Sequence, residues 1–133
     1  MKVAVTGKEG FIGYHLYNTI LYSQVDLKIV DFPKKLFYDE SKLDKLIKSV
    51  DVIVHLAGLN RSDDDDLLLN TNIDLSEKIA SSAQRTNFKG KIIFASSTLE
   101  KSKTKYGKSK KISNNIFLKS SEIHNYSFTS IVI

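Results

Sequence analysis

Five short apolar runs punctuate the chain, separated by segments in which apolar and polar residues alternate at helical spacing. KVAVT (2–6) reads as a fully buried strand, and LKIVD (27–31), DVIVHLAG (51–58), KIIFASS (91–97) and SFTSIVI (127–133) read as four more. Between the first two runs, FIGYHLYNTILYS (11–23) places Ile12, Leu16, Ile20 and Leu21 at the spacing of a helix. SKLDKLIKS (41–49) predicts a short helix with Ser41 as its cap, after a turn at Pro33. Residues 65–86 predict a long helix whose early aspartates suit the helix dipole, and residues 106–125 predict another. Strands that are nearly all apolar and alternate with helices imply an α/β fold, with a parallel sheet covered on both faces. No repeat, low-complexity tract or linker interrupts the order, so residues 1–133 read as one domain.

The first strand runs straight into TGKEGFIG, where Gly7, Gly10 and Gly13 lie three apart at the point a helix should begin. Half of the six glycines in the chain stand in these eight residues. In a strand–turn–helix context the first glycine permits the tight turn, and the second lets backbone approach a pyrophosphate. The third lets the helix pack closely. The free amides and partial positive charge of the helix N-terminus then face the phosphates. This makes the fold a doubly wound sheet of the Rossmann type. Asp31, closing the second strand, stands where an acidic side chain bonds the adenosine ribose hydroxyls and favours NAD. Lys34 and Lys35 follow and offer charge to a 2′-phosphate instead; the remaining alternative is that Asp31 merely ends a strand.

A second constellation lies downstream. Ser96 and Ser97 end the fourth strand, and Tyr106 and Lys110 in YGKSK share one face of the following helix. An ammonium and a cationic nicotinamide beside a tyrosine favour phenolate, which lowers the tyrosine pKa toward working pH. Such a tyrosine exchanges a proton with a substrate hydroxyl or carbonyl while the cofactor exchanges hydride.

Charge and composition trim the alternatives. The net charge of +5 comes largely from Lys101, Lys103, Lys105, Lys108, Lys110 and Lys111. No aromatic residues interleave them for base stacking, so a solvated lysine-rich loop and helix start is expected rather than a nucleic-acid site. An anionic substrate or cofactor is the second reading of that cluster. No stretch is long and apolar enough for a membrane helix, and strand-like sequence from the start predicts no signal peptide. With no cysteine in the chain, a cytoplasmic protein is expected. His15, His55 and His124 have no ligand spacing, and His55 is expected in the core. Asp63 to Asp66 read as the lead into a helix, so no metal is expected.

These motifs together resemble the extended short-chain dehydrogenase/reductase family, which includes nucleotide-sugar epimerases, dehydratases and reductases. The matching pieces are TGKEGFIG, Asp31, DVIVHLAG, Asn72 in NTNID, FASS and YGKSK. HLAGLNR (55–61) is similar to the reductases of bacterial capsule and O-antigen synthesis, which act on UDP-linked 4-keto-6-deoxy-N-acetylhexosamines. The resemblance implies NAD or NADP as cofactor, with Gly7, Gly10, Phe11, Ile12 and Gly13 around the phosphates. It implies Asp31 near the adenosine ribose, and Leu56, Ala57 and Gly58 along the cofactor. Asn72 is implied as support for the active site, Tyr106 as acid/base and Lys110 as its partner on the nicotinamide ribose. Alignment from Phe94 favours Ser97 over Ser96 as the matching serine. The spacer TLEKSKTK departs from the family's usual continuation. Because members usually run much longer, the chain is expected to be the cofactor-binding part of such an enzyme, truncated before the sugar-nucleotide pocket and with little turnover. The alternative is a non-catalytic binding or dimerisation module. Helices 65–86 and 106–125 match those that pair in family homodimers. Leu67, Leu68, Leu69, Ile73, Leu75 and Ile79 cover more than one face of the first.

Overall fold

The computed structural model describes residues 1–133. Its strands are β1 (Lys2–Thr6), β2 (Lys28–Val30), β3 (Val52–His55), β4 (Lys91–Ser96) and β5 (Ser127–Val132). They form one parallel sheet in the order β2-β1-β3-β4-β5. Helices α1 (Phe11–Tyr22), α2 (Glu40–Ser49), α3 (Asp65–Arg85) and α4 (Lys105–His124) connect them. Two 3-10 turns, 34–38 and 98–101, break up stretches that carry no periodic signal in the sequence.

Alternation along the strands divides the core. Ala4, Ile53, Ile92 and Phe94 point to the face covered by α2, α3 and α4, together with Leu43, Ile79 and Phe117. Val3, Val5 and Val54 point to the opposite face, where Leu16 and Ile20 of α1 cover them. Of the four apolar positions expected on the inner face of α1, Ile12 and Leu21 are instead exposed, because a single helix over a flat sheet buries only a narrow stripe. The cap of α2 is Asp39, not Ser41: its carboxylate accepts from the Lys42 amide at 3.1 Å. Asp64, from the aspartate run, caps α3 by accepting from the Asp66 and Leu67 amides.

A buried polar node stitches β1 to β3. Thr6 and His55 are register partners, and the Thr6 Oγ1 accepts from the Leu56 and Ala57 amides at 3.1 and 3.0 Å. With both lone pairs occupied, the Thr6 hydroxyl donates its proton to His55 Nδ1, at 2.8 Å. The imidazole is therefore the neutral Nε2–H form, donating to Ser76 Oγ at 3.3 Å. Phe37, Phe94 and Phe117 surround its ring. Burial, with a smaller push from the Lys110 charge, lowers its pKa to about 3. In the unfolded chain the same group titrates near 6.5. The unfolded state thus binds more protons between those limits, and stability falls as pH drops below about 6.5. Chemical denaturation should show a loss of about 2 kcal/mol from His55 between pH 6.5 and 5. In His55→Gln that part of the pH slope should vanish.

Candidate dinucleotide site

At Gly7 the chain leaves β1 with φ +73, a left-handed turn that glycine adopts without strain. A Cβ there would stand 2.7 Å from the Ala57 amide nitrogen, so β3's exit loop also needs this residue bare. Gly13 needs it too, since a Cβ would strike the Gly7 carbonyl; it packs helix on turn rather than helix on strand. Gly10 differs. Its nearest neighbour to an added Cβ is the Gly7 oxygen at 3.4 Å, so the space over it is open. Gly10 caps α1 without a side-chain bond, and Tyr14 is the first amide to bond back, at 2.8 Å to the Gly10 carbonyl. The amides of Phe11, Ile12 and Gly13 are left without a backbone acceptor, the arrangement that receives phosphate.

These amides open onto a cavity of about 640 Å³ above the ends of β1, β3 and β4. This is the point where the chain departs to opposite faces of the sheet, as expected of a ligand crevice in a doubly wound fold. Leu56, Ala57 and Gly58 form its floor, Tyr106 and Lys110 one wall, and Phe32, Phe37 and Tyr38 the other. Its size suits a dinucleotide, and the bare cradle over Gly10 and the free amides fit a pyrophosphate.

Around this cavity the surroundings of four expected side chains are set by tertiary contacts. Asp31 lies past the end of β2, outside the cavity lining, and its carboxylate is held by the Lys8 ammonium. That hydrogen bond raises the Lys8 pKa. Asn72 does not line the cavity either. It stands behind the wall, accepting from the Leu59 amide at 2.7 Å and donating to the Leu59 carbonyl at 2.9 Å and to Ser109 Oγ. Its work is to clamp the β3 exit loop to α4. Ser96 lines the cavity and Ser97 does not: Ser97 turns away to cap the 98–101 turn, accepting from the Leu99 amide. In the chain alone burial of the phenol raises the Tyr106 pKa; the expected lowering includes the charge of a bound nicotinamide.

Lys110 is buried at 9% exposure and donates to the Ala95 carbonyl at 2.9 Å. Its ammonium lies 5.0 Å from the Phe94 ring centre and 5.5 Å from that of Tyr106. Burial lowers its pKa to about 8, against a smaller upward pull from Glu100. Glu100 also accepts the Ser96 hydroxyl proton. Lys8 and Glu100 were not singled out by the sequence, because each acquires its role from a neighbour distant along the chain or across a turn. The only local signal was the position of Lys8 inside the glycine loop.

A parallel doubly wound sheet with a bare glycine cradle at its switch point has the form of a dinucleotide-binding domain. The chain belongs to the NAD dependent epimerase/dehydratase family, whose pattern matches residues 3–130. Its cofactor class is accordingly NAD or NADP. Among curated proteins it is 31% identical over 111 residues to UDP-2-acetamido-2,6-beta-L-arabino-hexul-4-ose reductase of Pseudomonas aeruginosa. The match covers 84% of this chain and 29% of that protein. RMD from Pseudomonas aeruginosa, solved with NADPH, superposes with a TM-score of 0.85 at 18% identity, over 97% of this chain and 52% of that one. The capsular polysaccharide assembling protein CapF of Staphylococcus aureus gives 0.76 at 24% identity, over 98% of this chain and 34% of that one. The chain therefore spans about half the length of the first solved relative and under a third of the curated one.

The glycines separate shape from binding. Gly13→Ala should cost about 3 kcal/mol or more in denaturant melts, since a rigid carbonyl must move. Gly10→Ala should change stability by less than about 1 kcal/mol yet weaken nicotinamide nucleotide binding, read by titration fluorescence.

Proposed function

We propose that these 133 residues are the cofactor-binding part of an NAD(P)-dependent nucleotide-sugar reductase or epimerase. The observation that carries this reading is that Ser96, Tyr106 and Lys110 line the same cavity as the glycine cradle. A pure binding module has no use for that trio. The curated relative is a reductase named for a UDP-linked 4-keto sugar, and CapF is named for capsular polysaccharide assembly. Both support a UDP-linked 4-keto-deoxyhexosamine on a bacterial surface-polysaccharide route, in the cytoplasm where reduced nicotinamide is supplied.

Bound in the cavity, the nicotinamide supplies or accepts hydride. Tyr106 acts at the substrate oxygen. Its raised pKa keeps the phenol protonated at neutral pH, so it is poised to give a proton to a carbonyl, the direction that reduction requires. Lys110, mostly charged below its pKa of about 8, supports the phenolate left behind and holds the cofactor ribose. Ser96 rather than Ser97 is the hydroxyl available to that oxygen, once released from Glu100. The rest of the substrate pocket lies outside these residues, so they bind cofactor with little turnover alone.

Lys8 neutralises Asp31, and Lys34 lines the cavity, so NADPH is accepted alongside NADH. Titration followed by nicotinamide fluorescence should give saturable binding of both. Lys8→Ala should shift preference toward NADH by about tenfold, the worth of one charged contact. Absence of saturable binding to either nucleotide would overturn the reading.

A homodimer through α3 and α4 belongs to the same proposal. The outer face of α3 carries Asp66, Asp74 and Glu77, and that of α4 carries Lys108, Lys111 and Lys119, with exposed Leu67, Leu118 and Ile123 among them. Helix α3 of one copy against α4 of another matches opposite charges. Sedimentation velocity should show a dimer that weakens with salt; a monomer at every concentration and low salt would exclude it.

A further inference from the structure

The space around Tyr106 continues past the phenol. A second cavity, about 430 Å³, opens between loop 60–62, the start of α3 and segment 103–106. Asn60 and Tyr106 line both cavities, so the phenol stands at their junction. The charged groups facing the second cavity are Arg61, Lys103, Lys105 and Asp65. Lys105 has an acidic partner, the Asp66 carboxylate at 3.6 Å. Arg61 and Lys103 have none: neither guanidinium nor ammonium makes an ion pair or hydrogen bond. This holds although Asp63 to Asp66 lie just after Arg61 and Ser62: Asp64 caps α3 and Asp66 pairs with Lys105. Two exposed cations without a partner in the chain thus share one concave polar wall, where an anion can meet both.

We infer that Arg61 and Lys103 form an anion site that receives the phosphate groups of the substrate whose oxygen is presented to Tyr106. The guanidinium offers a planar fork that matches two phosphate oxygens, and the lysine adds a compact charge beside it. Position separates this site from the cofactor's own phosphates. Those lie toward the free amides of α1 and the Lys8–Asp31 pair, whereas Arg61 and Lys103 lie across Tyr106 from them. A ligand spanning the junction would place its reactive carbon at the phenol and its diphosphate in the second cavity. This orientation deepens the nucleotide-sugar reading and rests on it for the identity of the phosphate carrier; the anion site itself rests only on the second cavity.

Calorimetric titration tests it, with sodium pyrophosphate and UDP as separate probes, at low salt, with and without saturating NADPH. Both probes should bind wild type, and Arg61→Ala and Lys103→Ala should each weaken them by about fivefold or more. With NADPH saturating the glycine cradle, the double variant should show no binding, while Lys45→Ala, exposed on α2, should match wild type. All variants change exposed side chains and should keep wild-type circular dichroism and NADPH affinity. Equal pyrophosphate binding by the double variant, or none by wild type, would overturn the proposal. So would loss of all pyrophosphate binding once NADPH saturates the cradle, which would assign the anion to the cofactor's site alone. UDP binding that depends on Arg61 in a protein that fails to bind either nicotinamide nucleotide would leave this site standing and remove the cofactor reading instead.

Discussion

Thr6 sits where β1 and β3 part, and its hydroxyl makes the parting possible. Beyond the Thr6–His55 pair the parallel ladder ends, and the Leu56 and Ala57 amides lose their strand partners. Buried amides without acceptors cost roughly 1–3 kcal/mol each. One side-chain oxygen takes both, so β3 can peel away from β1. The crevice that results has the glycine turn on one side and the tyrosine–lysine wall on the other. His55 completes the node because its Nδ1 is the only place left for the Thr6 proton. Thr6 thus holds open the crevice that the glycine cradle and Tyr106 share.

Burial sets the electrostatics on the wall of that crevice. It raises Tyr106 and lowers Lys110, so both are moved toward their neutral forms. A lysine left alone in such a place would be poorly charged at neutral pH. The Ala95 carbonyl, the faces of the Phe94 and Tyr106 rings and the nearby Glu100 carboxylate offset part of that cost. Glu100 accepts from the Ser96 hydroxyl, and its charge acts on Lys110 through space, without an ion pair. Asn72 locks the loop from β3 onto Ser109, next to Lys110 in α4.

Local pattern carried much of this a long way. The five strands and four helices fall within a few residues of where periodicity puts them, because a parallel sheet buried on both faces needs continuous apolar runs. The largest boundary error, eight residues expected in β3 against the four seen, comes from the apolar HLAG extension. Those residues are apolar because they floor the cavity, and no periodicity distinguishes a cavity floor from a strand. Asp31, Ser97 and Asn72 are harder cases. Their sequence positions are right for a site, but Lys8, the 98–101 turn and Ser109 claim them.

The sequence alone determined the order of elements, the glycine cradle, the helical pairing of Tyr106 with Lys110 and the core position of His55. Each depends on spacing along the chain, at a range where bond geometry fixes what meets what. Only the tertiary structure decided which serine reaches the cavity, that Lys8 covers Asp31, that burial raises the Tyr106 pKa, and that Arg61 and Lys103 share a wall. Those outcomes depend on groups brought together from distant parts of the chain and on how much water remains around them. Neither quantity is written in residue spacing.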